Sequence, residues 1–170
     1  MSEVIVRQAE TPADLDAVRD LCWEYRDYLL NYSDEVRAAV AVTYGEQAYA
    51  ALMDQLAAKH ARPKGIILIA EKDGEAVGCG MYHPLNDEDA EIKRVFMRKT
   101  ARGTGAGQKI SQCLVDQARS DGYRRILLDT SRQFVHAQRL YEKLGFVSRG
   151  PYSELPPEYV KLLAFYELII

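Results

Sequence analysis

Three glycines, Gly103, Gly105 and Gly107, alternate with Thr104 and Ala106 directly after Arg102. The run lies between an apolar segment of strand character, Glu91 to Met97, and a helical one. That helix, from about Gly105 to Ser120, carries Ile110, Leu114, Val115 and Ala118 at helical spacing. A strand that turns through glycines into a helix gathers unpaired N–H groups and the positive end of the helix dipole at one spot. Glycine permits positive φ there and keeps Cβ atoms out of a ligand's way. The natural ligand is an anion such as a phosphate or pyrophosphate. Two common nucleotide loops fail on spacing. A Walker loop needs Gly-Lys-Ser/Thr, but Gln108 precedes Lys109 and Ile110 follows it. A dinucleotide fingerprint counted from Gly103 finds Gln108 where its third glycine belongs. Taken alone, the loop also suits a turn whose glycines only shape the chain.

The flanking segments predict a mixed α/β chain. Val4 to Gln8 reads as a strand, and Thr11-Pro12-Ala13-Asp14 as a helix start with a threonine cap and proline at the first position. Leu15, Val18, Leu21, Cys22, Tyr25, Leu29 and Tyr32 continue that helix to about Asn31. A short helix is expected within 33–45, and a second amphipathic one from about Glu46 to His60, broken by Pro63-Lys64-Gly65. The period then changes. Ile66 to Ala70 is a buried strand, Asp73-Gly74 a hairpin turn, and Ala76 to Tyr82 the partner strand. Arg125 to Asp129 predicts another strand, Val135 to Leu144 a helix stopped by Gly145, and Phe146-Val147 the start of a short strand. Pro156-Pro157 reads as a loop, and Leu163 to Ile170 as a final strand.

With 170 residues, 48% hydrophobic and 28% charged, the chain suits one domain, 1–170, with a real core. A net charge of −3 gives no sign of a nucleic-acid or membrane-surface partner. No apolar run approaches the roughly 20 residues that cross a bilayer, and the first residues carry no signal-like segment. Cys22, Cys79 and Cys113 form no disulfide framework or metal pair, and His60, His83 and His136 lack metal spacing. A cytoplasmic protein without a metal is the expectation.

The glycine loop has company. Arg102 to Gly107 resembles the R/Q-x-x-G-x-G/A loop with which GNAT acetyltransferases hold the coenzyme A pyrophosphate. Ala90 to Met97 looks like that family's central strand, and Ala137-Gln138-Arg139-Leu140-Tyr141 through Gly145-Phe146 is similar to its A-x-x-L-Y-x-x-x-G-F segment. The match is specific through 66–148; earlier elements agree only in order. The resemblance implies a single GNAT-like α/β domain. Its mixed, mostly antiparallel sheet would have about six to seven strands, splayed at the middle, and about four flanking helices. It also implies acetyl-CoA or coenzyme A as cofactor and acetyl transfer to an amine. Backbone groups of Val95, Phe96 and Met97 would pair with the pantetheine arm, and one N–H would polarise the thioester carbonyl. Arg102, Gly103, Thr104, Gly105, Ala106, Gly107, Gln108 and Lys109 would hold the pyrophosphate.

An alkyl ammonium must lose a proton before it attacks, and Glu91 is the candidate base, acting through a water. Its other reading is an exposed acid at a strand end. Tyr141 matches the family tyrosine beside the coenzyme sulfur and is the candidate acid, although a tyrosine on a helix is commonly core. The acceptor, a small-molecule amine such as an amino acid or polyamine, would lie between 25–45 and 148–160. Tyr28, Tyr32 and Tyr152 are candidate walls. Lys93 and Arg94 would suit a carboxylate if they point inward. Two alternatives are a protein or peptide N-acetyltransferase, which needs an open groove, and a catalytically silent acyl-CoA-binding module. The final strand is a candidate for pairing with a second copy of the chain.

Overall fold

The computed structural model describes residues 2–170. A seven-stranded sheet runs in the order β1-β2-β3-β4-β5-β7-β6. Its strands are β1 Ile5–Gln8, β2 Ile66–Lys72, β3 Glu75–Pro84, β4 Asp89–Met97, β5 Arg125–Ser131, β6 Val147–Arg149 and β7 Leu163–Ile169. Every neighbouring pair is antiparallel except β4 and β5. The helices are α1 Pro12–Leu30, α2 Asp34–Thr43, α3 Glu46–Asp54, α4 Leu56–Lys59, α5 Ala106–Ser120, α6 Val135–Lys143 and α7 Pro157–Val160. Among the described residues no helix is long and apolar enough to cross a membrane.

Local chemistry sets most boundaries. Thr11 caps α1 in a reciprocal box with Asp14, and Ser33 caps α2 by accepting from the Val36 N–H. Asp73 and Gly74 both take positive φ in the β2–β3 turn. Residues of β2 are buried on both faces, because helices cover the sheet on each side. On one face α5 lays Ile110, Leu114 and Ala118 over Leu68, Ile92 and Ile126. On the other, Leu21 and Cys22 of α1 and Tyr49 and Met53 of α3 pack on Ile67, Ile69 and Met81.

Three expectations change. The helix expected from Glu46 to His60 breaks at Gln55 into α3 and α4; the redirected chain buries Leu56 completely and brings His60 into the interior. The Pro156-Pro157 loop contains α7, since proline is well placed in a first helical turn. The about four helices become seven α-helices among the described residues, two of them only four residues long. The final strand, β7, is bonded to β5 along its whole length on one side and to β6 over Phe165–Glu167 on the other. The outer strands are β1 and β6.

Two features of β4 position the site. First, β4 and β5 pair only over Asp89–Glu91 with Arg125–Leu127 and then part, so the sheet splits at its middle. Second, β4 bulges. Cys79 pairs with Phe96 and Met81 with Lys93, which leaves Gly80 opposite both Arg94 and Val95. Arg94 takes φ 51° there, a conformation that costs a non-glycine residue roughly 1–2 kcal/mol.

Candidate active site

A cavity of about 1410 Å³ fills the split and extends from the glycine loop to α1 and α2. At its loop end, Gly103 and Gly105 adopt φ 76° and 82°. A Cβ at either would meet nothing within 4 Å, so backbone conformation rather than crowding demands glycine. The N–H groups of residues 103–108 find no acceptor among the described residues. Three of them are the first donors of α5, which the helix cannot satisfy internally. Ser111, one turn further, has a buried hydroxyl with no partner among the described residues, and it too lines the cavity. Unclaimed donors at a helix start suit an anion.

The flanking side chains are less uniform. Gly103, Gly105, Ala106, Gly107 and Gln108 line the cavity. Thr104 turns its hydroxyl to the Ala101 carbonyl. The Lys109 ammonium donates to the Val4 carbonyl at 2.7 Å, tying α5 to the segment before β1 and away from the loop. Arg102 lies back over the Tyr28 ring, 4.6 Å from its centroid, and its Nε donates to the Met97 carbonyl.

In the middle of the cleft, Val95, Phe96 and Met97 line the cavity. Facing them across the split, α6 presents Tyr141, which is 8% exposed. Its ring stacks edge-on with Phe146 at 5.7 Å, while its hydroxyl makes no hydrogen bond among the described residues. Burial, and then the charge of Asp129, pushes this phenol well above the usual tyrosine range, so it stays protonated.

Beyond Tyr141 lies a polar cluster. Glu91 is 7% exposed, not the strand-end surface acid of the simpler reading. His83, its register partner on β3, donates from Nε2 to Oε1 at 2.9 Å. Tyr152, from the chain between β6 and α7, donates to Oε2 at 2.5 Å. The Lys93 ammonium stands 3.7 Å from Glu91 and 3.8 Å from Asp129 of β5. Burial acts to raise the Glu91 carboxyl, but the His83 bond, the Lys93 charge and the Tyr152 bond together bring it down to about 2. Burial likewise pulls the Lys93 ammonium down, and Tyr44, Asp129 and Glu91 more than restore it. The Tyr152 phenol is pushed far up by burial and by both carboxylates.

The remaining wall is aromatic. Tyr28 meets Tyr32 at 5.8 Å and Phe134 at 6.2 Å, and Tyr32 meets Phe134 at 4.7 Å. Residues from 25–45 and 148–160 thus come together at one end, with Tyr159 donating to the Ala38 carbonyl at 3.0 Å. Sequence reasoning passed over His83, Ser111 and Asp129. A cross-strand register could have found His83, since the β3–β4 connection is short; nothing local marks Ser111.

Comparison with known proteins decides the family. The model of the acetyltransferase (GNAT) family matches residues 18–146.

The chain belongs to the GNAT family.

It is 35% identical over 104 residues to an IAA acetyltransferase of Azospirillum brasilense, covering 60% of this chain and 67% of that protein. Its fold is shared by an acetyltransferase from Streptococcus agalactiae, with TM-score 0.76, 19% identity and 98% of each chain covered. The PaiA N-acetyltransferase from Thermoplasma acidophilum, solved with coenzyme A, has TM-score 0.69 and 15% identity, with 99% of each chain covered. Members of the GNAT family move an acetyl group from acetyl-CoA to an amine. N-acetyl transfer is accordingly the activity of this chain, and acetyl-CoA its cofactor. The free N–H groups at 103–108, the orphaned Ser111 hydroxyl and the open edges of β4 and β5 fit that group.

Proposed function

We propose that this GNAT enzyme acetylates the primary amine of a small molecule, with Glu91 and Tyr141 as its proton-handling groups. The observation that carries the small-molecule reading is the roof over the acceptor end. Tyr159 is bonded to Ala38 of α2, Tyr152 to Glu91, and the Ser33 hydroxyl to Gln133 at 2.6 Å. These links draw 148–160 and the start of α6 onto α2, closing a pocket where a polypeptide acceptor would need an open groove.

Acetyl-CoA, when bound, supplies an electrophilic thioester carbonyl. The donors at 103–108 bind its pyrophosphate, with Gly103 and Gly105 shaping the turn. Val95, Phe96 and Met97, on the unpaired edge of β4, offer backbone groups to an extended amide-bearing arm. The cation of the acceptor is drawn to Glu91 and Asp129. A carboxyl held at about 2 is always ionised but takes a proton weakly, so Glu91 works best through its short bond to Tyr152. As the amine's proton passes to the Tyr152 oxygen, directly or through a water, the tyrosine's own proton passes to Glu91 Oε2. The Tyr141 hydroxyl keeps its proton at neutral pH and has no protein acceptor for it among the described residues. It is available to a departing thiolate.

Two acceptor panels test the reading, one of small primary amines and amino acids and one of peptides with free N-termini and lysines. Turnover of the first set and silence of the second is expected. Efficient acetylation of peptides alone would overturn it.

A further inference from the structure

The bulge in β4 has a chemical result. Without the extra residue, Lys93 and Arg94 would point to opposite faces of the sheet. With Arg94 at φ 51°, both cations serve the α1–α4 face: Lys93 meets Asp129 and Glu91, and Arg94 lies against Met81 and His60. They differ in one respect. Lys93 has two carboxylates within reach, whereas Arg94 has no acid within 4.0 Å among the described residues.

Arg94 is nevertheless 4% exposed. Its Nε faces the Met81 sulfur at 3.4 Å, and Nη2 donates to His60 Nε2 at 3.2 Å. His60 accepts there because its Nδ1–H is committed to the Leu56 carbonyl at 2.8 Å. Burial holds this imidazole neutral, down to about 3, and the positive charge of Arg94 adds to the effect. The third neighbour is the Tyr44 phenol, in hydrogen-bonding contact with the guanidinium. Arg94 also lines the cavity. A buried guanidinium with no acid within 4.0 Å among the described residues is costly, and an anion in contact with it would offset that cost.

We infer that Arg94 is the receptor for a carboxylate on the acceptor, so that the substrate is a small amino acid rather than a polyamine or simple amine. The inference rests on the small-molecule reading above. Glu91 and Asp129 form the end that attracts an amine, and Arg94, on the same strand, forms the end that attracts its carboxylate. A polyamine meets Lys93 and Arg94 with like charge, and their joint field also reaches Lys59, whose ammonium burial and these two charges pull down. The tyrosine wall leaves room for an apolar or aromatic side chain.

The experiment uses matched ligand pairs, such as phenylalanine against phenethylamine and phenylalanine amide, and leucine against isoamylamine. Binding to the coenzyme A complex is followed by calorimetry, and turnover is measured with acetyl-CoA. The carboxylate member should bind at least about 10-fold more tightly, the scale of a charge-assisted contact. Arg94→Gln should abolish the difference while the coenzyme A affinity stays put, and Arg94→Lys should keep part of it. Equal binding of each pair to the wild-type enzyme would overturn the proposal, whatever the variants do. So would an Arg94→Gln enzyme that keeps the full preference. If peptides alone are acetylated, the small-molecule reading falls, and the binding titration still decides whether Arg94 selects carboxylates.

Discussion

His83 and Glu91 are direct register partners on β3 and β4, and the imidazole donates to the buried carboxylate at 2.9 Å. That bond is the largest influence opposing the burial of Glu91. Removing it, as in His83→Leu, lets burial dominate, and the carboxyl titrates upward from about 2. The wild-type kcat profile should show no Glu91 inflection above pH 4. The variant should gain an acid limb, with activity falling as pH drops below its raised value. Overlapping profiles would show that His83 does not hold the Glu91 carboxyl down.

Tyr141→Phe separates acid catalysis from packing. The hydroxyl has no hydrogen-bond partner among the described residues, so its loss leaves nothing unsatisfied and the melting temperature should hold. Turnover should fall roughly 100-fold, the scale of lost general acid–base assistance, with coenzyme A affinity unchanged. Full activity would end the acid assignment.

Gly105→Val tests the loop. Beyond the adjacent residues, nothing among the described residues stands within 4 Å of an added Cβ, but the φ of 82° does not suit valine. The strain, about 1–2 kcal/mol, will either lower stability or turn the loop N–H groups out of alignment. Coenzyme A binding should weaken at least about 10-fold for one misaligned charge-assisted contact, read by thermal shift or calorimetry. Unchanged affinity would displace the pyrophosphate site from this loop.

Acid stability follows from His60. Its folded value near 3 lies below the unfolded value of 6.5, so between them the unfolded chain binds the extra proton. Stability contributed by neutral His60 is full above pH 6.5 and declines as pH falls toward 3. Glu91 behaves in the same direction lower down, losing its contribution as pH falls from about 4.5 to about 2. His60→Gln, which keeps an acceptor for Arg94 but cannot charge, should flatten the melting temperature between pH 4 and 6.5. A slope equal to that of the wild type would refute the assignment.

How far the chain could be read in advance follows the range of the forces involved. Thr11-Pro12, Asp73-Gly74 and the alternating glycines at 103–107 act within a few residues, and each stands where its local chemistry directs. The break at Gln55 was hidden, because the helical period continues through it and only the burial of Leu56 and His60 redirects the chain. Lys109 sits at the right distance from the glycines to serve an anion, yet an N-terminal carbonyl claims it.

The order of strands and helices, the anion-ready loop and the identities of Glu91 and Tyr141 as candidate groups were determined by the sequence, through periodicity, φ preference and motif spacing. Tertiary structure alone decided that Glu91 is buried against His83 and Tyr152, that Lys109 turns to the Val4 carbonyl, and that Arg94 has no acid within 4.0 Å among the described residues. Those outcomes depend on a cross-strand register and a one-residue bulge. Shifting a strand by a single position exchanges every side chain between its faces, and that choice is made by the packing of the whole sheet rather than by any neighbour in the chain.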